Sequence, residues 1–169
     1  MIDLNDIDIM NILQDNARTS NAEVARRVGL APSAIHARLQ KLETSGLIAG
    51  YAARLDAAAL GFGLTAFIFV RTEEAPGHTD SAMRLAAVPE IQEIHHVAGE
   101  DCFLVKARVA DTEALARLLR DQLGSIPAVR STRTTVVLET IKETFTLPLA
   151  KQGGACANGA ANAAENNHA

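Results

Sequence analysis

The stretch SNAEVARRVGLAPSAIHARLQKLETSG, residues 20–46, carries two helix-start signals and two glycine stops. Ser20 followed by Glu23 is a capping box, in which each side chain bonds the backbone N–H of the other residue. Gly29 accommodates the left-handed backbone that ends a helix, and Pro32 suits the first position of the next one. The stretch therefore predicts two short helices joined by a tight corner, with the second ending at the final glycine.

The helix that follows the corner has one apolar stripe. Ile35, Leu39 and Leu42 fall at i, i+4 and i+7, which places them on the face that packs against a core. An earlier helix is expected as well, with Asn5 and Asp8 as its capping pair. Two helices joined by so short a corner form a helix-turn-helix, a motif whose second helix lies in the major groove of DNA.

The face opposite this stripe is the candidate DNA-reading face. It carries short or hydrogen-bonding side chains that can approach base edges, namely Ser33, His36, Ala37 and Gln40. Basic side chains flank it as candidates for phosphate contacts, namely Arg26, Arg27, Arg38 and Lys41. The alternative is a generic helical hairpin with a solvated basic face. Segment 1–50 has 5 basic against 6 acidic residues, which weakens the electrostatic case for DNA.

The composition bounds the class of protein. With 169 residues, 48% hydrophobic and 21% charged, the chain has the composition of a folded protein. The apolar run Leu64–Val70 is too short to span a bilayer, and the acidic start lacks a signal-peptide pattern, so we expect a cytoplasmic protein. Cys102 and Cys156 form no disulfide or metal-binding pattern. Because the net charge is −4, any nucleic-acid binding must come from a local patch.

The second half of the chain changes from helical to mixed patterning. Its expected elements are strands LTAFIFVRT, IQEIHHV, CFLVKARV and VRSTRTTVVLETI, with helices over 80–87 and 111–123. This β-α-β-β-α-β order predicts an α+β fold with a ferredoxin-like sandwich. The expected domains are a helix-turn-helix domain at 1–50, a connecting strand and linker at 51–62, the ferredoxin-like domain at 63–150 and a disordered low-complexity tail at 151–169.

The first strand of this sandwich is apolar on both sides. Phe67 and Phe69 alternate with Ile68 and Val70, whereas an antiparallel sheet with one wet face should alternate apolar and polar residues. Helices cover only one face of such a sheet. A second copy of the domain is the simplest cover for the other face, so we expect a homodimer.

The segments LNDIDIMNILQDNAR, AEVARRVGLAPSAIHARLQKLETSGLIAGY and TRTTVVLETIKE resemble the leucine-responsive and asparagine-regulator (Lrp/AsnC, feast/famine) family of transcriptional regulators. The resemblance covers roughly residues 2–149. It implies a winged helix-turn-helix followed by an amino-acid-sensing domain, and dimers that often assemble into octamers. The expected function is sequence-specific regulation of transcription on double-stranded DNA, with an amino-acid effector and no other cofactor.

The resemblance also implies an effector cleft formed by two segments from neighbouring subunits. Its residues would be Ala98, Gly99, Glu100, Asp101, Thr134, Thr135, Val136 and Val137. Glu100 or Asp101 would accept from the ligand ammonium, and backbone N–H groups near Gly99 would meet its carboxylate. These residues include no cation, which favours an apolar or small neutral effector. An ordinary acidic hairpin turn is the alternative.

Two positions depart from the family pattern. Ala31 stands where a helix-capping Ser is common, and Cys102 stands where the family often has a second acid. The second departure puts the identity of the effector in doubt.

The sequence gives weaker support for a metal site or an enzyme active site. His95 and His96 are adjacent, and neighbouring strand residues point to opposite faces, so one metal ion could hardly bind both. No general base is placed by spacing to activate Cys102, and no acid–base pair is evident for an enzyme built on the ferredoxin-like half. We therefore expect neither a metal site nor an enzyme. A nucleoid-organising protein that wraps DNA with little sequence preference remains the alternative to a specific regulator.

Overall fold

The computed structural model describes residues 2–74 and 80–150. The chain divides into two compact units, which are described separately. The helical unit takes in the chain up to Ala53 together with the segment that starts at Thr144, and the sheet unit spans Arg54–Glu143. The predicted disordered tail at 151–169 lies outside the described residues. Within the described ranges, no helix is long and apolar enough to cross a membrane.

Among its described residues, the helical unit has three helices packed on one apolar core. They are α1 (Leu4–Asp15), α2 (Asn21–Val28) and α3 (Pro32–Thr44). Each helix contributes buried side chains to the core: Ile9, Leu13, Val24, Ala25, Ile35, Leu39 and Leu42. The predicted stripe of α3 is thus confirmed, and its opposite side is left facing outward.

The corner between α2 and α3 forms as the sequence predicts. Gly29 ends α2 with a φ of 77°, and Pro32 is the first residue of α3. Ser20 Oγ accepts from the backbone N–H of Glu23 at 3.3 Å, but the Glu23 carboxylate accepts from Arg26 and Arg27 instead of completing the capping box. An ion pair has therefore replaced the second half of the box.

The start of α1 differs from the prediction. Asp3, not Asn5, is the N-cap, and the capping pair Asn5–Asp8 is wrong. The Asp3 carboxylate accepts from the Asp6 N–H at 2.9 Å, and the Asp6 carboxylate accepts from the Asp3 N–H at 3.2 Å. Because this reciprocal pair satisfies two N–H groups that the helix cannot bond itself, the helix begins two residues earlier than predicted.

The sheet unit is an antiparallel four-stranded sheet with the predicted ferredoxin-like topology. Its strands are β1 (Leu64–Thr72), β2 (Ile91–His96), β3 (Phe103–Val109) and β4 (Val129–Val136), in the spatial order β2-β3-β1-β4. The helices are α4 (Asp80–Ala86) and α5 (Thr112–Arg117), and α5 continues into a π-helical segment at Leu118–Leu123. Asp111 caps α5 as predicted, through a 2.8 Å bond from the N–H of Ala114.

The two faces of the sheet are covered unequally. Ala66, Ile68 and Val70 are 0% exposed and belong to the core that also contains Leu85 and Leu118. On the other face of β1, Phe67 and Phe69 are only half-buried. One face is thus closed by the helices of the same chain, and the other is partly open.

Two predicted strand segments are not formed. Residues 51–62, where the sequence favours a connecting strand and linker, contain a turn at 57–61 and no strand. The last strand was expected to continue to Ile141, but β4 ends at Val136. Val137 N–H donates to the Thr65 carbonyl at 2.9 Å, and β1 begins only one residue before Thr65, so β4 has no further partner backbone to pair with.

Candidate functional site

The candidate DNA-reading face is the outward side of α3. Ser33, His36, Ala37 and Gln40 are all exposed, as expected for residues opposite the buried stripe. His36 and Gln40 line a shallow depression of about 450 Å³ together with Tyr51. Hydrogen-bonding side chains therefore lie together on one accessible helix face, which is what base-edge contacts require.

Tyr51 borders this face and was not among the predicted residues. Its Oη donates to Glu43 Oε1 at 2.9 Å. Burial and the adjacent Glu43 carboxylate raise the pKa of Tyr51 to about 12, so the phenol stays protonated at neutral pH. The sequence offered little signal, because Tyr51 lies in a segment without regular structure and its partner is eight residues away.

Arg38 has a different environment from that expected of a phosphate contact. Its Nη1 lies 2.7 Å from Asp3 Oδ2 and 2.6 Å from Asp6 Oδ1, and the Asp6 side chain is 0% exposed. The backbone bond from Asp6 and the Arg38 guanidinium lower the pKa of Asp3. Since a buried carboxylate is costly unless it is paired, Arg38 anchors α3 to the start of α1. Lys41 Nζ is 3.7 Å from the second oxygen of Asp6 and remains half exposed.

The other two basic candidates share one acid. Arg26 and Arg27 both bind Glu23, each at 2.7 Å, and both guanidinium groups remain at the surface. Hydrogen bonds from Arg26 and Arg27 lower the pKa of Glu23 to about 2. Two positive charges against one negative charge leave a net positive patch on α2 where phosphate contacts were expected.

The candidate effector turn joins β2 to β3. It is tied to the sheet at its base, where Cys102 N–H donates to the Val70 carbonyl at 3.0 Å. Ala98, Gly99 and Glu100 are exposed, and Asp101 is half-buried. Gly99 has a φ of 148°, which side-chain-bearing residues rarely adopt, and a Cβ at this position would have no atom within 4 Å. The turn is therefore open, and any substitution of this glycine would be strained by its backbone alone.

The β4 candidates lie away from this turn within one chain. The turn is bonded at Val70, which pairs with Thr132, whereas Thr134, Thr135 and Val136 follow along β4. At about 3.3 Å per strand residue, Val136 lies roughly 13 Å beyond Thr132. The structure thus does not bring all eight predicted effector residues together in a single subunit.

Arg133 is the β4 residue that reaches the turn. Its Nη2 lies 2.9 Å from Asp101 Oδ2, and its Cζ lies 4.2 Å from the centroid of the Phe69 ring. The eight predicted effector residues include no cation, but Arg133 places one beside Asp101. Arg133 pairs with Phe69 across the two strands, and paired residues have their side chains on the same face of the sheet. The alternation of strand residues between the two faces was therefore the signal that could have placed Arg133 on this face.

A charged cluster lies on the open face of the sheet. Lys106 is nearly buried and contacts both Glu93, at 2.9 Å, and Glu143. Glu143 also pairs with Arg108, at 3.2 Å. The hydrogen bonds from Lys106 hold the pKa values of both Glu93 and Glu143 below their usual range. This cluster was not predicted, since its residues are separated by up to 50 positions in sequence.

The two histidines do not converge on a metal site. His95 Nε2 lies 3.3 Å from Glu93 Oε2, whereas the His96 ring packs on Phe103 with centroids 5.3 Å apart. Within residues 2–74 and 80–150, no group of three or more potential metal ligands is found. Cys102 is half-buried, with its Sγ 3.6 Å from the Thr72 carbonyl oxygen.

Comparison with known proteins identifies both units. Residues 2–49 match the winged helix-turn-helix DNA-binding family, and residues 65–147 match the Lrp/AsnC ligand binding domain. The chain is 40% identical over 150 residues to the HTH-type transcriptional regulator FL11 of Pyrococcus horikoshii, covering 88% of this chain and 98% of that protein. It is 37% identical over 144 residues to the leucine-responsive regulatory protein of Escherichia coli, covering 84% and 88% of the two chains.

Solved structures agree with these relatives. A transcriptional regulator from Neisseria meningitidis in complex with L-Met is 35% identical, with a TM-score of 0.84 over 88% of this chain and 97% of that chain. A feast or famine regulatory protein from M. tuberculosis complexed with L-methionine is 31% identical, with a TM-score of 0.80 over 87% and 99%. The chain belongs to the Lrp/AsnC family of DNA-binding transcriptional regulators.

Proposed function

We propose that this regulator reads DNA with the exposed face of α3 and that its DNA binding or assembly responds to an amino acid. The observation that carries the first part is the set Ser33, His36 and Gln40, which lies outward on a helix whose opposite stripe is buried. Arg26, Arg27 and Lys41 are the proposed phosphate contacts. Arg38 is assigned to positioning α3, because its guanidinium already donates hydrogen bonds to Asp3 and Asp6 of the same chain.

Sequence preference separates this function from non-specific DNA wrapping. A selection from a random duplex library, followed by anisotropy titration of the selected and the unselected duplexes, measures it directly. A specific regulator binds the selected duplex about 10³-fold or more tightly than random duplex at the same salt concentration. Equal affinities would instead support the nucleoid-organising alternative.

The amino-acid response is supported by the relatives that bind L-methionine and by the chemistry of the turn between β2 and β3. Asp101 supplies a carboxylate for an ammonium group, and Gly99 leaves open space beside the backbone. Thr134, Thr135, Val136 and Val137, with Ala98 and Glu100, complete the proposed lining when contributed by neighbouring subunits. A thermal-shift screen of the twenty amino acids tests the response, because a ligand that binds only the folded state raises its melting temperature.

A homodimer is the proposed unit of assembly, with octamers as its further association. The half-buried Phe67 and Phe69 lie on the sheet face that the helices leave open. The segments that flank the sheet expose further large apolar side chains, among them Phe62, Leu138 and Ile141. Sedimentation at micromolar concentration is expected to show no stable folded monomer.

A further inference from the structure

The chain returns to its helical unit after the sheet. The helical unit takes in the segment that starts at Thr144, which directly follows Glu143, the last residue of the sheet unit. Two peptide links therefore join the units, one after Ala53 and one after Glu143. The second link follows β4, the strand that carries Thr134 and Thr135 of the proposed effector lining. We call residues 144–149 the return segment.

The return segment docks on α1 through side-chain amides. Gln14 forms two hydrogen bonds with one residue, because its Oε1 accepts from the Leu147 N–H at 2.7 Å and its Nε2 donates to the Leu147 carbonyl at 3.3 Å. Asn11, three residues earlier, donates from Nδ2 to the Leu149 carbonyl at 3.1 Å. Since residues three apart lie on the same face of a helix, one face of α1 binds alternate residues of the return segment.

This docking is polar and can be reversed. It consists of hydrogen bonds between side-chain amides and backbone groups. The described residues that form the apolar core of the helical unit lie between Ile9 and Ile48, so the return segment contributes none of them. Hydrogen bonds within a protein replace hydrogen bonds to water, and each one therefore contributes little net free energy. The return segment can thus leave α1 without unfolding the core that α1 belongs to.

Glu143 fastens the chain just before the return segment. Its carboxylate contacts Lys106 and lies 3.2 Å from Arg108, and both of these residues belong to β3. Four residues lead from Glu143 to Leu147, and they span at most about 14 Å when fully extended. Because so short a stretch has little slack, a displacement at the end of the sheet unit changes how the return segment docks.

Helix α1 also contacts the DNA-reading helix. Asp3 and Asp6, at the start of α1, accept hydrogen bonds from Arg38 of α3. Asn11 and Gln14 lie in the second half of α1, where the return segment docks. One helix therefore contacts the return segment near one end and α3 near the other.

We infer that the return segment couples the sheet unit to α3, by docking on Asn11 and Gln14 in one functional state of the regulator and leaving them in the other. The inference rests on the proposed amino-acid response and names the route by which that response reaches the DNA-reading helix. Coupling between two sites requires an element with two arrangements whose balance both sites influence. The reversible docking of the return segment is such an element.

The first test removes the docking from either side. Asn11→Ala combined with Gln14→Ala removes all three hydrogen bonds to the return segment, and alanine is the residue best suited to a helix. Leu147→Pro removes the N–H that donates to Gln14 and leaves α1 unchanged. Amide hydrogen exchange on the full chain measures the docking. The Leu147 amide is expected to exchange more slowly in the wild-type protein than in the double variant, because its N–H is bonded only when the return segment is docked.

The second test measures the coupling itself. The selected duplex is titrated by anisotropy with and without a saturating concentration of the amino acid that gives the largest shift in the thermal screen. That amino acid is expected to change the DNA affinity of the wild-type protein by about fivefold or more. In the double variant and in Leu147→Pro, it should change the DNA affinity by less than about twofold, although calorimetry still shows that it binds.

Two substitutions serve as matched controls. Leu147→Ala removes the side chain but keeps the backbone N–H and carbonyl that bind Gln14, so the coupling should persist. Asn5→Ala removes an amide from the same helix about 13 Å before Gln14 along its axis, and it should also preserve the coupling.

The outcomes separate this inference from the proposed function. If none of the twenty amino acids raises the melting temperature, the amino-acid response fails and the inference fails with it. If the amino acid changes the DNA affinity of the double variant as much as that of the wild-type protein, the response stands and the inference is overturned. Amino-acid binding without any effect on the DNA affinity of the wild-type protein also overturns it. Equally fast exchange of the Leu147 amide in the wild-type protein and the double variant overturns it as well, because the return segment would then not be docked.

Discussion

Helix α3 and the sheet unit differ in how completely their own apolar residues are covered. In the helical unit, the stripes of three helices meet in one core and the outward face of α3 is polar. In the sheet unit, one face is closed by helices, but Leu138 and Ile141 are 99% and 85% exposed beyond the end of β4. Large exposed apolar surfaces mark interaction sites. The comparison leaves a polar outward face on α3 and exposed apolar side chains on the sheet unit, which is what the proposed DNA contacts of the first and subunit contacts of the second require.

The largest expected effect contrasts the two faces of β1. Ile68→Asp places a charge in a fully buried site without a partner and should lower the free energy of unfolding by more than about 4 kcal/mol. Phe67→Asp changes the half-buried face and should act mainly on assembly, so that its effect grows on dilution. Urea unfolding at two protein concentrations measures both. Identical, concentration-independent losses would show that the open face is not an interface.

The next effect concerns the anchor between α1 and α3. Asp6→Ala leaves Arg38 without its buried partner and should cost about 2–3 kcal/mol, below the loss for a fully buried pair because Arg38 is 28% exposed. The exposed Asp15→Ala at the other end of α1 is the control and should be nearly neutral. Thermal unfolding of both variants measures the difference.

The salt dependence of DNA binding tests whether Arg38 positions α3 or contacts phosphate. If Arg38 positions α3, Arg38→Gln weakens binding to the selected duplex more than to random duplex and leaves the salt slope unchanged. A slope reduced by about 1 for both duplexes would show that Arg38 contacts phosphate after all.

A third effect concerns base reading. Gln40→Ala should cost about 1–3 kcal/mol on the selected duplex if Gln40 contacts a base edge. Gln122→Ala removes an equally exposed glutamine from the sheet unit and serves as the control. Anisotropy titrations on selected and random duplexes give both values. Equal losses of affinity on the two duplexes would show that Gln40 does not contact a base edge.

The smallest effect is a pH dependence in the sheet unit. Lys106 lowers the pKa values of Glu93 and Glu143, so these carboxylates contribute stability that is present above pH 4.5 and lost as the pH falls through their lowered values. Despite its burial, Lys106 has a raised pKa because Glu143 and Glu93 accept its hydrogen bonds, so it stays charged throughout this acid range. Lys106→Met should reduce the acid-dependent loss, by at most about 1 kcal/mol for such partly exposed carboxylates. Matched urea titrations at pH 7 and pH 3 measure this difference, which vanishes if the cluster is not formed in solution.

Patterns among residues close together in sequence predicted more of the structure than patterns that depend on distant residues. The Gly29 corner, the Pro32 start and the buried stripe of α3 all follow from residues a few positions apart, and all are confirmed. The β-α-β-β-α-β order also followed from pattern alone. Where β4 ends depends on where β1 begins, which no local pattern records.

The candidate site residues show the same difference between local and non-local signals. The exposure of Ser33 and Gln40 followed from helical period, because their own helix determines it. Arg133 lies against Asp101 only after two strands have paired, so 32 residues of intervening chain hid the contact. The partnership of Arg38 with Asp6 was hidden in the same way, because 32 positions separate the two residues in sequence.

The start of α3 has a consequence for engineering. Ala31 gives the helix no side-chain cap, so the helix begins on the fixed backbone of Pro32 alone. A serine here would offer a hydroxyl to an N–H group of the first turn without disturbing any buried residue, since Ala31 is exposed. A substitution outside its apolar stripe can therefore still stabilise α3 against heat.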